Sequence, residues 1–208
     1  SLIKERPKCK ATAIDISLKA LNVAKTNAKL HQLENKINFF HIDIDKYKSN
    51  NYDLVISNPP YINSIELSRL DDDIKFHEPK LALSGGSDGF KEIRKVIIKS
   101  KKLLKINGKL IIEIGYRQRN ICLKILNRNG FYINKISKDL SGKDRCIIST
   151  KINKWTILKT TIEEVDSSRI MIEILEKEME MDINLTEILA IILILREEIL
   201  EETTRMLQ

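Results

Sequence analysis

The run YDLVISNPPYIN at residues 52–63 constrains this chain more than any other stretch. Val55 and Ile56 suit a strand packed on both faces. Two consecutive prolines stop any strand or helix, because neither has an N–H to donate and each fixes φ at about −65°. A strand here must end abruptly, and it leaves Asn58 at its carboxyl end.

Strands of this kind alternate with helices along the chain. "KATAIDIS" reads as a short strand ending in Asp15 and Ser17. The following "SLKALNVAKTNAKLHQL" sets Leu18, Leu21, Ala24 and Ala28 at helical spacing, with Ser17 as N-cap. "KINFFHIDI" is a second strand ending at Asp43, and "YDLVISN" a third. A long loop over residues 62–89 leads to the helix "FKEIRKVIIKSKKLLKI", which Asn107 and Gly108 terminate before the strand "KLIIEIG". "RQRNICLKILNRNG" gives another helix. "FYINKISKDL" and "DRCIISTKI" close the pattern as two strands joined by a turn at Ser141 and Gly142. The alternation predicts an α/β fold, a mostly parallel sheet with helices on both faces and an antiparallel hairpin at one edge. Ligands of such sheets sit outside the carboxyl ends of the strands, and Asp15, Asp43 and Asn58 occupy that rim on three different strands.

A chain of 208 residues with 42% apolar content can bury a real core, which excludes a disordered chain. Cys9, Cys122 and Cys146 are odd in number and in no metal-ligand spacing, so they read as reduced thiols without a role. His31, His41 and His77 lack acidic or cysteine companions and read as structural. The start, "SLIKERPK", has no apolar signal core, and "LAIILIL" at residues 189–195 is too short to span a bilayer, so a soluble, cytoplasmic protein is expected. The net charge of +7 is unevenly spread: residues 1–150 hold 29 Lys and Arg against 16 Asp and Glu, and residues 151–208 hold 7 against 13. A basic surface fits an RNA-rich setting, but an Ile/Lys/Asn-biased composition scatters lysine over any surface, and no arginine cluster or zinc spacing accompanies it.

The rim residues have definite chemistry. A carboxylate at a strand end of a nucleotide-binding sheet can accept hydrogen bonds from both ribose hydroxyls, and Asp15 is placed for that; it is equally placed to cap the helix that follows. Asp43 is either an acceptor for an adenine amino group or a turn residue. In Asn-Pro-Pro-Tyr, the Asn58 side-chain oxygen and the Pro59 carbonyl offer two acceptors in line with the two N–H bonds of a planar NH2 group, whose conjugated lone pair makes it a poor nucleophile. Tyr61 can stack on that group, and the prolines hold the carbonyl rigidly outward. The bland alternative is a strand-ending turn with a packing tyrosine.

With "AIDIS" and the "ALNVAKTNA" helix, "DLVISNPPYI", "HEPKLALSGGSDG", "GKLIIEIGYRQ" and "KDLSGKDR" in one order, the chain resembles the class I S-adenosylmethionine-dependent methyltransferases. Within them it resembles the protein-(glutamine-N5) methyltransferases of peptide chain release factors. The resemblance covers roughly residues 1–150. It implies a Rossmann-like sheet, S-adenosylmethionine as cofactor with Asp15 as ribose ligand, Asp43 on the adenine side and Asn58 bordering it, and no metal. It implies Asn58, Pro59 and Tyr61 as the catalytic clamp on a glutamine amide, with Pro60 and, in the substrate-side loop, Glu78 completing the substrate site. The implied substrate is the glutamine of the Gly-Gly-Gln loop of class I release factors, in translation termination. NPPY also occurs in adenine-N6 methyltransferases, so methylation of a nucleic-acid base is the second reading, and a non-catalytic remnant a third.

The family's first strand, its Gly-rich cofactor loop and the helical docking domain before them are expected upstream of "SLIKERPK". Residues 1–152 therefore read as a partial methyltransferase domain. Such a chain is expected to hold the cofactor weakly and to turn over only with an N-terminal partner fragment. Residues 153–208 read as an acidic, helical extension of unknown role.

Overall fold

The computed structural model describes residues 1–71 and 79–153. The tail expected to be helical, together with Glu78 and His77, lies outside the described residues. After a short helix α1 (Leu2–Glu5), the chain forms β1 (Ala11–Asp15), α2 (Leu18–Leu30), β2 (Ile37–His41) and β3 (Tyr52–Ser57). Two short helices follow, α3 (Ser64–Ser68) and α4 (Lys80–Leu83), then α5 (Lys91–Leu103), β4 (Leu104–Glu113), α6 (Arg119–Arg128), β5 (Phe131–Lys138) and β6 (Asp144–Lys151).

Local chemistry accounts for these elements. Ser17 is extended (φ −96°, ψ 112°) and its hydroxyl accepts the Ala20 N–H at 3.2 Å, starting α2 as an N-cap should. Leu21 and Ala28, two turns apart, are the buried stripe of that helix. In α5 the stripe is Ile93, Val96, Ile97, Ser100 and Leu103, one face at 3.6-residue spacing. In α6 it is Cys122 and Leu126. Burial pushes the Cys122 thiol up to about 12, so it behaves as an apolar side chain. No disulfide joins the three cysteines.

The strands fall into two groups. β1 pairs in parallel with β2, and a four-stranded sheet runs β3-β4-β6-β5, with β3 and β4 parallel and β6 antiparallel to both β4 and β5. The Rossmann-like mixed sheet with its terminal hairpin is thus present. β1 and β3 are not hydrogen-bonded to each other. Near their amino ends, the Tyr52 hydroxyl donates to Thr12 Oγ1 at 3.0 Å and meets the Tyr47 hydroxyl at 2.5 Å, a side-chain bond from one sheet to the other.

The core lies under the four-stranded sheet. Ile93, Ile97, Leu110, Ile112, Ile114, Leu126 and Ile147 are 0% exposed, and Phe131 joins them. All of β1 is only half-buried, and Ile56 on β3 is 57% exposed.

Two elements differ from the sequence expectation. The helix expected to reach Ile106 ends at Leu103, because Leu104 is already extended (φ −79°, ψ 144°), buried, and paired with Tyr52. Asn107 at φ 66° and Gly108 then form an irregularity before the pairing resumes at Leu54 and Lys109. A Cβ on Gly108 would lie 2.9 Å from the Lys105 carbonyl oxygen and 3.1 Å from that of Tyr52, so this crossing needs glycine. Burial and strand pairing of Leu104 override the helix propensity of "KLLK". Within the loop expected over residues 62–89, α3 forms because the Asn63 side chain caps it, accepting the Glu66 N–H at 2.9 Å.

Ile112→Ala should cost about 2–5 kcal/mol in a urea unfolding curve, as a cavity in a close-packed core does. Ile56→Ala, on the open edge of β3, should cost less than ~1 kcal/mol. Equal costs would show that the β3 edge is packed as tightly as the centre of the same sheet.

Candidate functional site

Among the described residues, the carboxyl ends of β1 and β3 and the turn after β2 open onto one cavity of about 480 Å³. Asp15, Asp43, Asn58, Pro59 and Pro60 all line it, and the Thr12, Tyr47 and Tyr52 hydroxyl chain lies in its wall. Five of the seven residues expected at the site therefore share one space.

Asp15 ends β1, and its Oδ1 accepts the Ser17 N–H at 2.7 Å, so the capping reading is realised while the carboxylate still borders the cavity. His41, its partner in β2, donates from Nε2 to the Ile16 carbonyl at 2.9 Å, a structural bond that pins the same turn.

Asp43 lies two residues beyond β2. Its Oδ1 accepts the Asp45 N–H at 2.9 Å and its Oδ2 meets the Lys95 ammonium at 3.3 Å. The Asp45 N–H bond first, and then Lys95, hold its carboxyl below the ordinary 3.8 against the opposing effect of burial. Lys95 also reaches Glu92 at 2.9 Å and Asp45 at 3.8 Å, and Glu92, ahead of the Asp43 contact, raises the lysine above its usual value. Lys95 and Glu92 line the cavity as well and were not expected there. Their i,i+3 spacing marks them as a pair on α5, but nothing in the linear sequence brings that pair to Asp43.

Asn58 is exposed, and its side chain bonds no described residue. Pro59 is buried, and its carbonyl accepts no backbone hydrogen bond among the described residues. The two residues that the sequence picks out as acceptors thus both line the cavity. Tyr61 does not line the cavity. Its hydroxyl donates to Glu113 Oε1 at 3.4 Å and accepts from Arg145 Nη1 at 3.4 Å, and burial, then Glu113, raises its pKa above 10. Arg145 is itself tied to Asp139 at 3.1 Å and to the Ile114 carbonyl at 3.3 Å. Pro79, next to the undescribed Glu78, borders the cavity.

This arrangement can hold a nucleoside-like group. Two carboxylates stand at the strand ends of one parallel pair, and the volume is that of a small-molecule site. Asp15 can accept from hydroxyls and Asp43 from an amino group, so the residues present fit a nucleoside cofactor.

Residues 1–71 match the family model described as methyltransferase small domain. The structure resembles a methyltransferase from Pyrococcus furiosus (TM-score 0.53, 15% identity, covering 73% of this chain and 68% of that one). It also resembles a ribosomal protein L11 methylase from Lactobacillus delbrueckii subsp. bulgaricus (TM-score 0.50, 17% identity, 69% and 58%). The fold is that of the class I methyltransferases. In sequence the chain is similar to the release factor glutamine methyltransferases of Fusobacterium nucleatum (40% identical over 160 residues, 74% of this chain and 44% of that protein) and Caulobacter vibrioides (36% over 152 residues, 73% and 53%). It is also similar to a bifunctional methyltransferase of Rickettsia felis (36% over 154 residues, 74% and 29%). The chain thus spans about half or less of the length of these relatives. No helix among the described residues is long and apolar enough to cross a membrane.

The folded pKa of Asp43 lies below its ordinary 3.8, so the native state binds fewer protons than the unfolded one as pH drops past that value. The stabilisation is complete above about pH 3.8 and lost as pH falls through the folded value. Lys95→Met should raise the Asp43 titration towards 3.8 in a carboxyl NMR titration. An unmoved midpoint would mean that the ammonium is not what holds the carboxylate.

Proposed function

We propose that this domain transfers a methyl group to the side-chain amide nitrogen of the glutamine in the Gly-Gly-Gln loop of class I peptide chain release factors, in translation termination, with S-adenosylmethionine as cofactor. The observation that carries the reading is the Asn58 side chain and Pro59 carbonyl, neither bonded to another described residue, on residues that line the same cavity as Asp15 and Asp43. The names of the relatives from Fusobacterium and Caulobacter support the substrate.

S-adenosylmethionine supplies an electrophilic methyl group on a sulfonium. Asp15 would hold the ribose hydroxyls, and Asp43, whose carboxylate is favoured by the Asp45 N–H and Lys95, would serve the adenine side. Asn58 Oδ1 and the Pro59 carbonyl accept the two N–H bonds of the glutamine amide. That fixes its plane and draws electron density onto nitrogen, so the chain contributes position and electrostatics. Substitution at nitrogen releases one of those two protons, and the exposed rim at Asn58 gives it a path to water. Tyr61 contributes through its backbone and through the Glu113 and Arg145 network, with stacking on the amide requiring its ring to leave those bonds. Pro60 and Glu78 belong to the substrate side in this reading.

The second reading, methylation of an amino group on a nucleic-acid base, rests on the same two acceptors and on the basic balance of residues 1–150. Offering release factor, RNA and DNA side by side with radiolabelled cofactor to the chain, with and without an N-terminal fragment of a relative, separates the readings. Label on the release factor alone is expected, and label on nucleic acid alone would overturn it. Asn58→Ala should lower transfer at least ~100-fold and, because the side chain is exposed, change stability by less than ~0.5 kcal/mol. Near-normal turnover would remove Asn58 from the clamp.

A further inference from the structure

We propose that Gln118 is the positioning residue that aims the Asn58 and Pro59 acceptors, a role that rests on the clamp reading above. It stands where β4 has ended and α6 begins, with its own N–H on the Gly115 carbonyl at 2.9 Å. Its side-chain amide joins three separate segments. Nε2 donates to the Tyr61 carbonyl at 3.0 Å and to the Gly89 carbonyl at 3.1 Å, while Oε1 accepts the Gly115 N–H at 2.9 Å. Both donors and the acceptor of one half-buried carboxamide are used. Glutamate lacks the donors, and leucine lacks both kinds of group.

The surrounding glycines are shaped to this amide. A Cβ on Gly89, which sits at φ +79°, would lie 2.7 Å from the Tyr61 carbonyl oxygen and 2.9 Å from Gln118 Nε2. One on Gly115 would lie 3.0 Å from Gln118 Oε1, and one on Gly85 would lie 2.8 Å from Tyr61 Cα. The loop over residues 85–89 therefore packs directly against the backbone after the prolines. Beyond it the Ile62 N–H donates to the Leu83 carbonyl at 3.1 Å and the Gly85 N–H to the Ile62 carbonyl at 2.8 Å.

Between the Tyr61 carbonyl that Gln118 holds and the clamp lie only Pro60 and the Tyr61 backbone, and the proline ring fixes one of the few torsions in that span. The direction of the Tyr61 carbonyl is thereby transmitted to the Pro59 carbonyl. Gln118 itself does not line the cavity, so it acts through the loop and not on substrate.

The test uses the full chain and its variants Gln118→Leu and Gln118→Glu. With release factor as substrate, in the mixture in which the parent chain is active, Gln118→Leu should lower kcat about 10- to 100-fold, the scale on which a misplacement near 1 Å acts. Cofactor affinity by calorimetry should stay within about threefold, because Asp15 ends β1 and Asp43 lies in the turn after β2, neither bonded to Gln118 or its loop. Gln118→Glu should recover part of its activity relative to the parent as pH is lowered from about 7.5 to 5.5, since a protonated carboxyl regains one of the two donors and an ionised one has none. Amide hydrogen exchange at Ile62, Gly85 and Gly115 should quicken in Gln118→Leu. Unchanged kcat, cofactor affinity falling in step with kcat, or a fall in kcat without faster exchange would each overturn the proposal. If the parent chain methylates no release factor, the clamp reading fails by itself, and the exchange rates still decide whether Gln118 fixes this loop.

Discussion

The rest of the site depends on the termination of β3 by Pro59 and Pro60. β3 pairs with β4 only through Ser57, and beyond that point the chain must turn away without donating a backbone hydrogen bond for two residues. A polar side chain and a carbonyl are thus presented at the end of a strand while its other residues remain locked in the sheet. Stiffness here comes from covalent rings, which no loop of ordinary residues could match without a much larger set of contacts.

Around that fixed point the molecule is packed unevenly. α5, α6, β4, β5 and β6 bury one continuous set of aliphatic side chains, whereas β1 and β2 lie against α2 with β1 half-buried throughout. The two strand groups share no backbone ladder, and the Tyr47, Tyr52 and Thr12 hydroxyls bridge them at the amino ends of β1 and β3. Such a bridge holds one end close and leaves the carboxyl ends free to open onto the cavity. Burial raises the Tyr47 pKa above 10, and the Tyr52 hydroxyl adds to it, so Tyr47 stays protonated and able to donate at neutral pH.

Much of this was legible in the sequence because its signals are local. The Ser17 cap, the proline stop after Asn58 and the hairpin around Gly142 are decided by residues within a few positions of one another, and each stands where local chemistry put it. What was not legible depends on distant partners. Leu104 left its helix because Tyr52 offers it a ladder position, a pairing across 52 residues. The Tyr61 ring turned to Glu113 and Arg145, and Lys95 reached Asp43, through folding alone. The rim itself could be expected from strand ends, whereas the side chains that tune it could not, since long charged side chains choose partners only once helices and strands are set side by side.

Charge distribution shows the same separation of local from global. The whole chain carries +7, yet among the described residues lining the cavity the carboxylates of Asp15, Asp43 and Glu92 face a single ammonium, that of Lys95. The lysine is 19% exposed and bonded to Glu92 and Asp43, so its charge is largely spent inside the group. A ligand bearing positive charge is favoured in such a space and a phosphate is repelled. The basicity of the first 150 residues therefore belongs to surfaces away from the cavity. It gives the base-methylation reading no electrostatic support at the site where the chemistry would occur.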